Sequence, residues 1–302
     1  MKFMYQYPET NGTGRDMLDA GPVDDVARAA EAAGFMGFSF TEHPAPGARW
    51  LGSGGHQSLD PFAALSFVAA VTTRMRLLSY VCVVPYRNPL LLAKAAATVD
   101  KLSGGRFVLG AGTGYLKGEF RALGVDIDER NALFDEALDT LPLHWKGEPF
   151  SYKGLHFEAK DVLARPRPVQ DPIPIWIGGN SKLARRRVAE RAQGWMPLLI
   201  PPGAEATVRS PGLQGREQLA DHIAEMQETA SARGVALDVI YPYLERGVHH
   251  APAKDVARHE EAFADLRQAG VTWVMLSGPS ESLEVTRDFL EAFGERFIAP
   301  HL

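Results

Sequence analysis

Two hydrophobic periodicities take turns along the chain. Short, continuous apolar runs read as strands covered on both faces, and the segments between them carry apolar residues at helical spacing. KFMYQY precedes VDDVARAAEAAG, in which Val23, Val26, Ala29, Ala30 and Ala33 share one helix face. FMGFSFTEH, a Gly-rich loop at residues 47–55 and the helical DPFAALSFVAAVT form a second unit. RLLSYVCVV and NPLLLAKAAATVDKLS form the third, with Asn88 as helix N-cap and Pro89 at the first helical position, where its missing N–H costs nothing. Ser103-Gly104-Gly105 then reads as a C-cap before a fourth strand, RFVLGAG.

A longer segment, residues 115–171, contains a helical stretch, DERNALFDEALDTLPLHW, and a hairpin, FSYKGLHFEA. Four more units follow, their strands being IPIWIGG, WMPLLI, VIYPYLE and VTWVMLSG. Their helices are LARRRVAERA, REQLADHIAEMQETASARG, AKDVARHEEAFADLRQAG and SLEVTRDFLEAFGERF. Eight such units in 302 residues predict a (β/α)8 TIM barrel, a single domain over 1–302 with an insertion after strand 4. A doubly wound sheet shows the same alternation, but eight evenly spaced repeats favour the barrel. In a barrel the C-terminal ends of the strands carry the chemistry.

Composition narrows the class. The chain is 45% hydrophobic and 23% charged, with a formal net charge of −5, as ordinary globular proteins are. An acidic balance is the opposite of a nucleic-acid footprint. No apolar run approaches the roughly 20 residues that cross a bilayer, and MKFMYQYPET lacks the apolar core of a signal peptide. The single cysteine, Cys82, cannot form an intrachain disulfide. The expectation is a cytoplasmic enzyme acting on a small molecule, without nucleic-acid or membrane partners.

His43 stands at the end of the second strand, on the same face as Ser39 and Thr41 and opposite Glu42. Its imidazole can give or take a proton near neutrality, or it can simply bond a backbone carbonyl. The fifth strand ends in Gly178-Gly179-Asn180-Ser181 and runs into a helix. Asn180 or Ser181 can cap that helix, whose free N–H groups make an anion site; an ordinary tight turn has the same sequence. GAGTGY is not a dinucleotide fingerprint, because GxGxxG needs a glycine where Tyr115 stands. HxH, HExxH, CxxC and GxSxG are all absent, which argues against a metal centre and a serine hydrolase. His249 and His250 are adjacent in a loop and do not converge as an i, i+4 pair would. Arg185-Arg186-Arg187 reads as a solvated helix face.

Three blocks taken in order are more specific. YVCVVPYRNPLLLAKAAATVDKLSGGRFVLGAGTGYLKGEFRALGVDIDER, RPRPVQDPIPIWIGGNSKLARRRVAERAQGWMP and FSFTEH resemble the bacterial luciferase-like flavin and deazaflavin oxidoreductases. The resemblance runs from the first strand to about Pro197. It implies a barrel, commonly dimeric, that binds FMN or coenzyme F420 at the strand C-termini. The combination of TEH, PYRNP and GAGTGYLKGEF is most similar to the F420-dependent branch. By the same resemblance His43 is the active-site histidine. Tyr80 and Val81 lie at a third-strand bulge with a non-prolyl cis peptide that backs the cofactor ring. Gly112, Thr113 and Gly114 line the cofactor, and Gly178, Gly179 and Asn180 form the phosphate turn.

Two positions depart from the family's sugar-phosphate dehydrogenases. There an acidic residue directly follows GTG, and a tryptophan follows the histidine closely; here Tyr115 and Pro44 to Gly47 stand at those places. This argues against glucose 6-phosphate oxidation. Tyr80, Tyr86 and Tyr115 fit a less charged substrate, with Tyr115 on the substrate side, or else pack in the core. Three functions remain: hydride transfer between coenzyme F420 and a small organic substrate, an FMN-dependent monooxygenase, and a non-catalytic cofactor-binding paralogue.

Overall fold

The computed structural model describes residues 1–9, 17–200, 203–245, 247–248 and 251–301. The apolar runs form β1 (Lys2–Gln6), β2 (Gly37–Phe40), β3 (Arg76–Ser79, resumed at Cys82–Val83) and β4 (Phe107–Gly112). They continue as β5 (Ile175–Gly178), β6 (Gly194–Met196), β7 (Asp238–Pro242) and β8 (Trp273–Leu276). Every neighbour in this ring is parallel, and two pairings close it: Lys2 against Trp273 and Leu77 against Phe107. The chain is therefore a (β/α)8 barrel.

Alternation along the strands divides two cores. Met4, Leu78, Val108, Trp176, Met196, Ile240, Trp273 and Met275 point inward and plug the barrel. Phe3, Tyr5, Leu77, Phe107, Leu109, Ile175 and Ile177 point outward, where the helices cover them. The helices following the strands are α1 (Val23–Ala32), α2 (Pro61–Val71), α3 (Pro89–Leu102), α4 (Arg130–Trp145), α5 (Lys182–Arg191), α6 (Gly215–Ser231), α7 (Val256–Gln268) and α8 (Leu283–Phe293). Asn88 caps α3 by accepting the Leu90 N–H at 2.9 Å, with Pro89 at the first helical position. Gly104 and Gly105 stop it with φ of +68° and +87°. None of the described helices is long and apolar enough to cross a membrane.

The segment between β4 and β5 divides further than its sequence predicts. The helix α4 packs against α3 as the barrel's own fourth helix. The true insertion is the antiparallel hairpin Phe150–Lys153 and Glu158–Val162 with its return to β5. Asp100, buried on α3, anchors that return by accepting the N–H groups of Val169 and Gln170 and the Gln170 amide. The sixth strand also differs from expectation. It ends at Met196, because Pro197 has no N–H for the ladder, and the leucines after it form a loop over the barrel mouth.

The strand pair nearest the mouth is unusually close. A Cβ on Gly110 would lie 1.9 Å from the Ser79 carbonyl oxygen, and the Ser79 hydroxyl bridges the Gly110 N–H and C=O at 3.1 Å. Gly110→Ala must push β4 away from β3, and overpacking of this kind costs about 1–3 kcal/mol or more. The expected result is a lower denaturant midpoint with the same barrel by circular dichroism; an unchanged midpoint contradicts the close approach.

Candidate functional site

A cavity of about 490 Å³ opens at the C-terminal mouth, lined from the ends of β2, β3, β4 and β5 and the loop after β6. Its flat wall comes from the break in β3. The Tyr80–Val81 peptide is cis and non-prolyl, and both residues face the cavity and cover the barrel plug. Gly112 and Gly178 flank Val81 so closely that added Cβ atoms would meet its methyl groups at 2.8 and 3.2 Å. These glycines thus make room for Val81. Gly114 has φ of +75° and abuts Val83 and Phe120, while Thr113 lies between the glycines on the cavity wall. The wall is fixed from behind by Glu42, whose carboxylate accepts the Val83 N–H at 2.6 Å and pairs with Arg87. Burial pushes the Glu42 carboxyl up, against the pull of Arg87.

One end of the cavity is built for protons. His43 is mostly buried, and its Nδ1 lies 3.4 Å from Glu119 on the short helix Lys117–Ala122. Its backbone N–H donates to Ser58 at 2.6 Å. Glu119 also accepts the Tyr86 hydroxyl at 2.9 Å and the Ala45 N–H at 3.3 Å. Trp50 lies over the His43 ring at 4.5 Å, and the His56 and Tyr115 rings stand edge-on at 4.8 and 6.3 Å. Burial, aided by Glu119, pushes the Tyr115 phenol up to about 12, so it is a neutral O–H donor at physiological pH. His56 Nδ1 lies 3.2 Å from Glu9, which itself accepts the N–H and hydroxyl of Thr41. Burial draws the His56 pKa down, but the hydrogen bond and charge of Glu9 outweigh it and leave it raised.

The other end is cationic. Gly179 takes φ of +117°, and Ser181 caps α5 by accepting the Ala184 N–H at 3.2 Å. Arg130, Arg187 and Arg209 converge here, and with burial the two neighbouring cations lower the Arg130 pKa. Arg187 is not the solvated residue its sequence context predicts. It is 3% exposed, bonds both oxygens of Asp135 at 2.7 and 2.8 Å, and lies over Phe134. Only Arg186 of the three is exposed.

Of the sequence-predicted site residues, His43, Tyr80, Val81, Gly112, Thr113, Gly114, Tyr115, Gly178 and Gly179 all line this one cavity. Asn180 does not. Its amide is buried, donates to the Leu198 and Pro211 carbonyls and accepts the Leu198 N–H, so it staples the loop instead. Sequence reasoning missed Glu9, Trp50, His56, Glu119, Arg130 and Arg209. Trp50, from the loop after β2, folds back to within 4.5 Å of the His43 ring. Glu119, four residues after Tyr115, places a carboxylate 3.4 Å from His43 Nδ1. His249 and His250 lie outside the described residues, and no group of potential metal ligands occurs among the described ones.

The sequence profile of the luciferase-like monooxygenases matches residues 1–297. The chain belongs to that family. A protein of Mycobacterium tuberculosis is 32% identical over 183 residues; the match covers 57% of this chain and 63% of that one. The chain thus spans less than two thirds of this curated relative. The FMNH2-dependent dimethylsulfone monooxygenase of Pseudomonas putida is 29% identical over 206 residues, 65% of this chain and 55% of that one. Monooxygenase RslO1 from Streptomyces bottropensis shares the fold at a TM-score of 0.76 and 22% identity over 100% of both chains. The coenzyme F420-dependent tetrahydromethanopterin reductase of Methanopyrus kandleri shares it at 0.69 and 17%, over 99% and 98%. The luciferase-like fold therefore has both flavin- and F420-dependent neighbours.

Pairing of His56 with Glu9 links this luciferase-like site to pH. A histidine whose folded pKa is raised stabilises the fold fully below its unfolded value of about 6.5, and loses that contribution as pH rises through the folded pKa. Glu9→Gln should therefore lose more stability at pH 6 than at pH 9, relative to wild type, in denaturant titrations. Equal losses at both pH values would mean that the pair does not carry charge.

Proposed function

We propose that this protein is an oxidoreductase that transfers a hydride between coenzyme F420 and a small organic substrate, with His43 moving the accompanying proton. One arrangement carries the reading: a single cavity joins a flat wall at Val81 to a cationic end at α5 and a His43–Glu119 pair at the opposite end. A tricyclic ring with a phosphate-bearing tail fits that sequence of surfaces. The Gly112 and Gly178 positions let Val81 lie level behind the ring. Ser181, the α5 N-terminus, Arg130 and Arg209 suit the phosphate. When bound, the deazaflavin supplies nicotinamide-like hydride chemistry. Glu119 holds His43 through Nδ1, which leaves Nε2, without a hydrogen bond among the described residues, to serve the substrate oxygen. Phe67 on α2 and Leu91 and Leu102 on α3 are exposed apolar side chains that suit a homodimer.

A second reading, an FMN-dependent monooxygenase, has support from a similar protein and fits the same cationic end. Arg130, Arg187, Arg209 and a helix N-terminus also suit the dianionic phosphate monoester of FMN, and the Pseudomonas putida relative is FMNH2-dependent. Equilibrium titration with both cofactors separates the two. Tighter binding of coenzyme F420 supports hydride transfer; a clear preference for FMN overturns it.

Acid–base assistance is typically worth about 10²–10⁴-fold in rate. His43→Ala should lower kcat within that range in steady-state assays and leave most cofactor affinity intact. Near-wild-type turnover would reduce His43 to packing, with the Tyr115 hydroxyl left to handle the proton. At the other end Arg209 makes no ion pair among the described residues, so its loss should spare the fold. Arg209→Gln should weaken cofactor binding about tenfold, the worth of one charge-assisted hydrogen bond. Unchanged affinity in fluorescence titration would remove Arg209 from the phosphate site.

A further inference from the structure

We propose that His56, held by Glu9, is a proton relay that reloads His43 from solvent after each turnover. The proposal rests on the reading of His43 as the group that exchanges a proton with substrate. It concerns a different residue, on the loop between β2 and α2, and a different step.

His43 has poor access to water. Its side chain is 10% exposed, Trp50 covers one face, and Glu119 occupies Nδ1. Its remaining nitrogen makes no hydrogen bond among the described residues, and solvent reaches it only across that small exposed area. His56 bridges that gap. Its ring stands edge-on to His43, centroid to centroid 4.8 Å, and 32% of its side chain is exposed. The rings are close enough for one water, bonded to a nitrogen of each at their rim, to connect them, and bridges of this kind transmit hydrogen bonds at little cost.

His56 is also held as a relay needs to be. Glu9 Oε2 and the Gln57 carbonyl both lie 3.2 Å from Nδ1, which fixes that nitrogen as the protonated one. Nε2 makes no hydrogen bond among the described residues and is free to exchange. Glu9 is itself locked by the Thr41 N–H at 2.8 Å and the Thr41 hydroxyl at 2.6 Å, two residues before His43. The groups facing His56 are thus Glu9 after β1, His43 after β2, Trp50 from the short helix Ala48–Leu51, and at longer range Glu119. Among the described residues two carboxylates, Glu9 and Glu119, favour a protonated His56.

Protons and electrons balance in the direction of carbonyl reduction. The carbonyl carbon receives the hydride, and the π electron pair moves to oxygen. Oxygen takes a proton from His43 Nε2, and the neutral His43 regains one from His56 through the bridging water. His56 is reprotonated by water or buffer acid. In alcohol oxidation each proton step runs in reverse.

The test has an arm that needs no cofactor. In cofactor-free protein with labelled histidines, NMR should show the His43 ring N–H exchanging with solvent about tenfold or more slowly in His56→Gln than in wild type. An unchanged exchange rate overturns the relay, whichever cofactor the enzyme uses. In the loaded enzyme, His56→Gln should leave single-turnover hydride transfer within about twofold of wild type. Steady-state turnover in dilute buffer should fall about tenfold and recover with added imidazole, because a small buffer can replace a proton shuttle. Loss of the single-turnover rate, unrelieved by imidazole, would mean a structural role and overturn the proposal. If wild-type protein fails to turn over with coenzyme F420, the functional reading fails, and the exchange measurement still decides the relay.

Discussion

A buried carboxylate holds the mouth of this barrel together. Where β3 leaves the sheet at Tyr80 and Val81, the strand beyond it needs another tether, and Glu42 provides it. Its Oε2 accepts the Val83 N–H at 2.6 Å while Arg87 balances its charge, with Asp60 3.3 Å from the same guanidinium. A buried charge is tolerable only when paired and hydrogen-bonded, and this one is both. Glu42 and His43 are neighbours in sequence. Consecutive side chains thus diverge, one fixing the flat wall from behind and the other entering the cavity in front of it. The tether of the wall and the imidazole are thus one peptide unit apart in the chain.

The elements most legible in the sequence are those whose residues answer to local rules. Continuous apolar runs placed the strands, and Asn88, Pro89 and the Gly104-Gly105 stop bounded α3 as their conformational preferences require. Where the sequence reading failed, a non-local contact had overridden the pattern. Arg187 looks solvated in a run of three arginines, but Asp135 and Phe134 on α4 bury it. Asn180 looks like part of an anion turn, but carbonyls at positions 198 and 211 claim its amide. The proton end was the least legible part. Its members come from the chain after β1, two stretches of the loop after β2, and a helix after β4. No periodicity links Glu9, Trp50, His56 and Glu119, and only the folded loop brings them to His43.

Charge is sorted along the cavity. Glu9 and Glu119 stand at the histidine end, with Glu42 behind the wall, whereas Arg130, Arg187 and Arg209 gather about α5. Low-dielectric walls between the ends make this separation count for more than it would on an open surface. An elongated ligand with an anionic tail can enter in one orientation only, because the reverse sets its phosphate against carboxylates.

The flat wall and the cationic end suit a flavin and a deazaflavin alike, so neither feature separates the two chemistries of this family. The difference has to lie in what the site offers the substrate. An oxygen-activating flavin enzyme benefits from a dry apolar chamber that shelters a reactive adduct. A hydride-transferring enzyme must move one proton per turnover at the substrate oxygen, within a space that substrate itself closes. Around His43 the chain has placed a second histidine, two carboxylates and the high-pKa phenol of Tyr115, with His56 reaching the surface. That is a costly set of groups to bury for a dry chamber, and one suited to the proton traffic that the proposed hydride transfer requires.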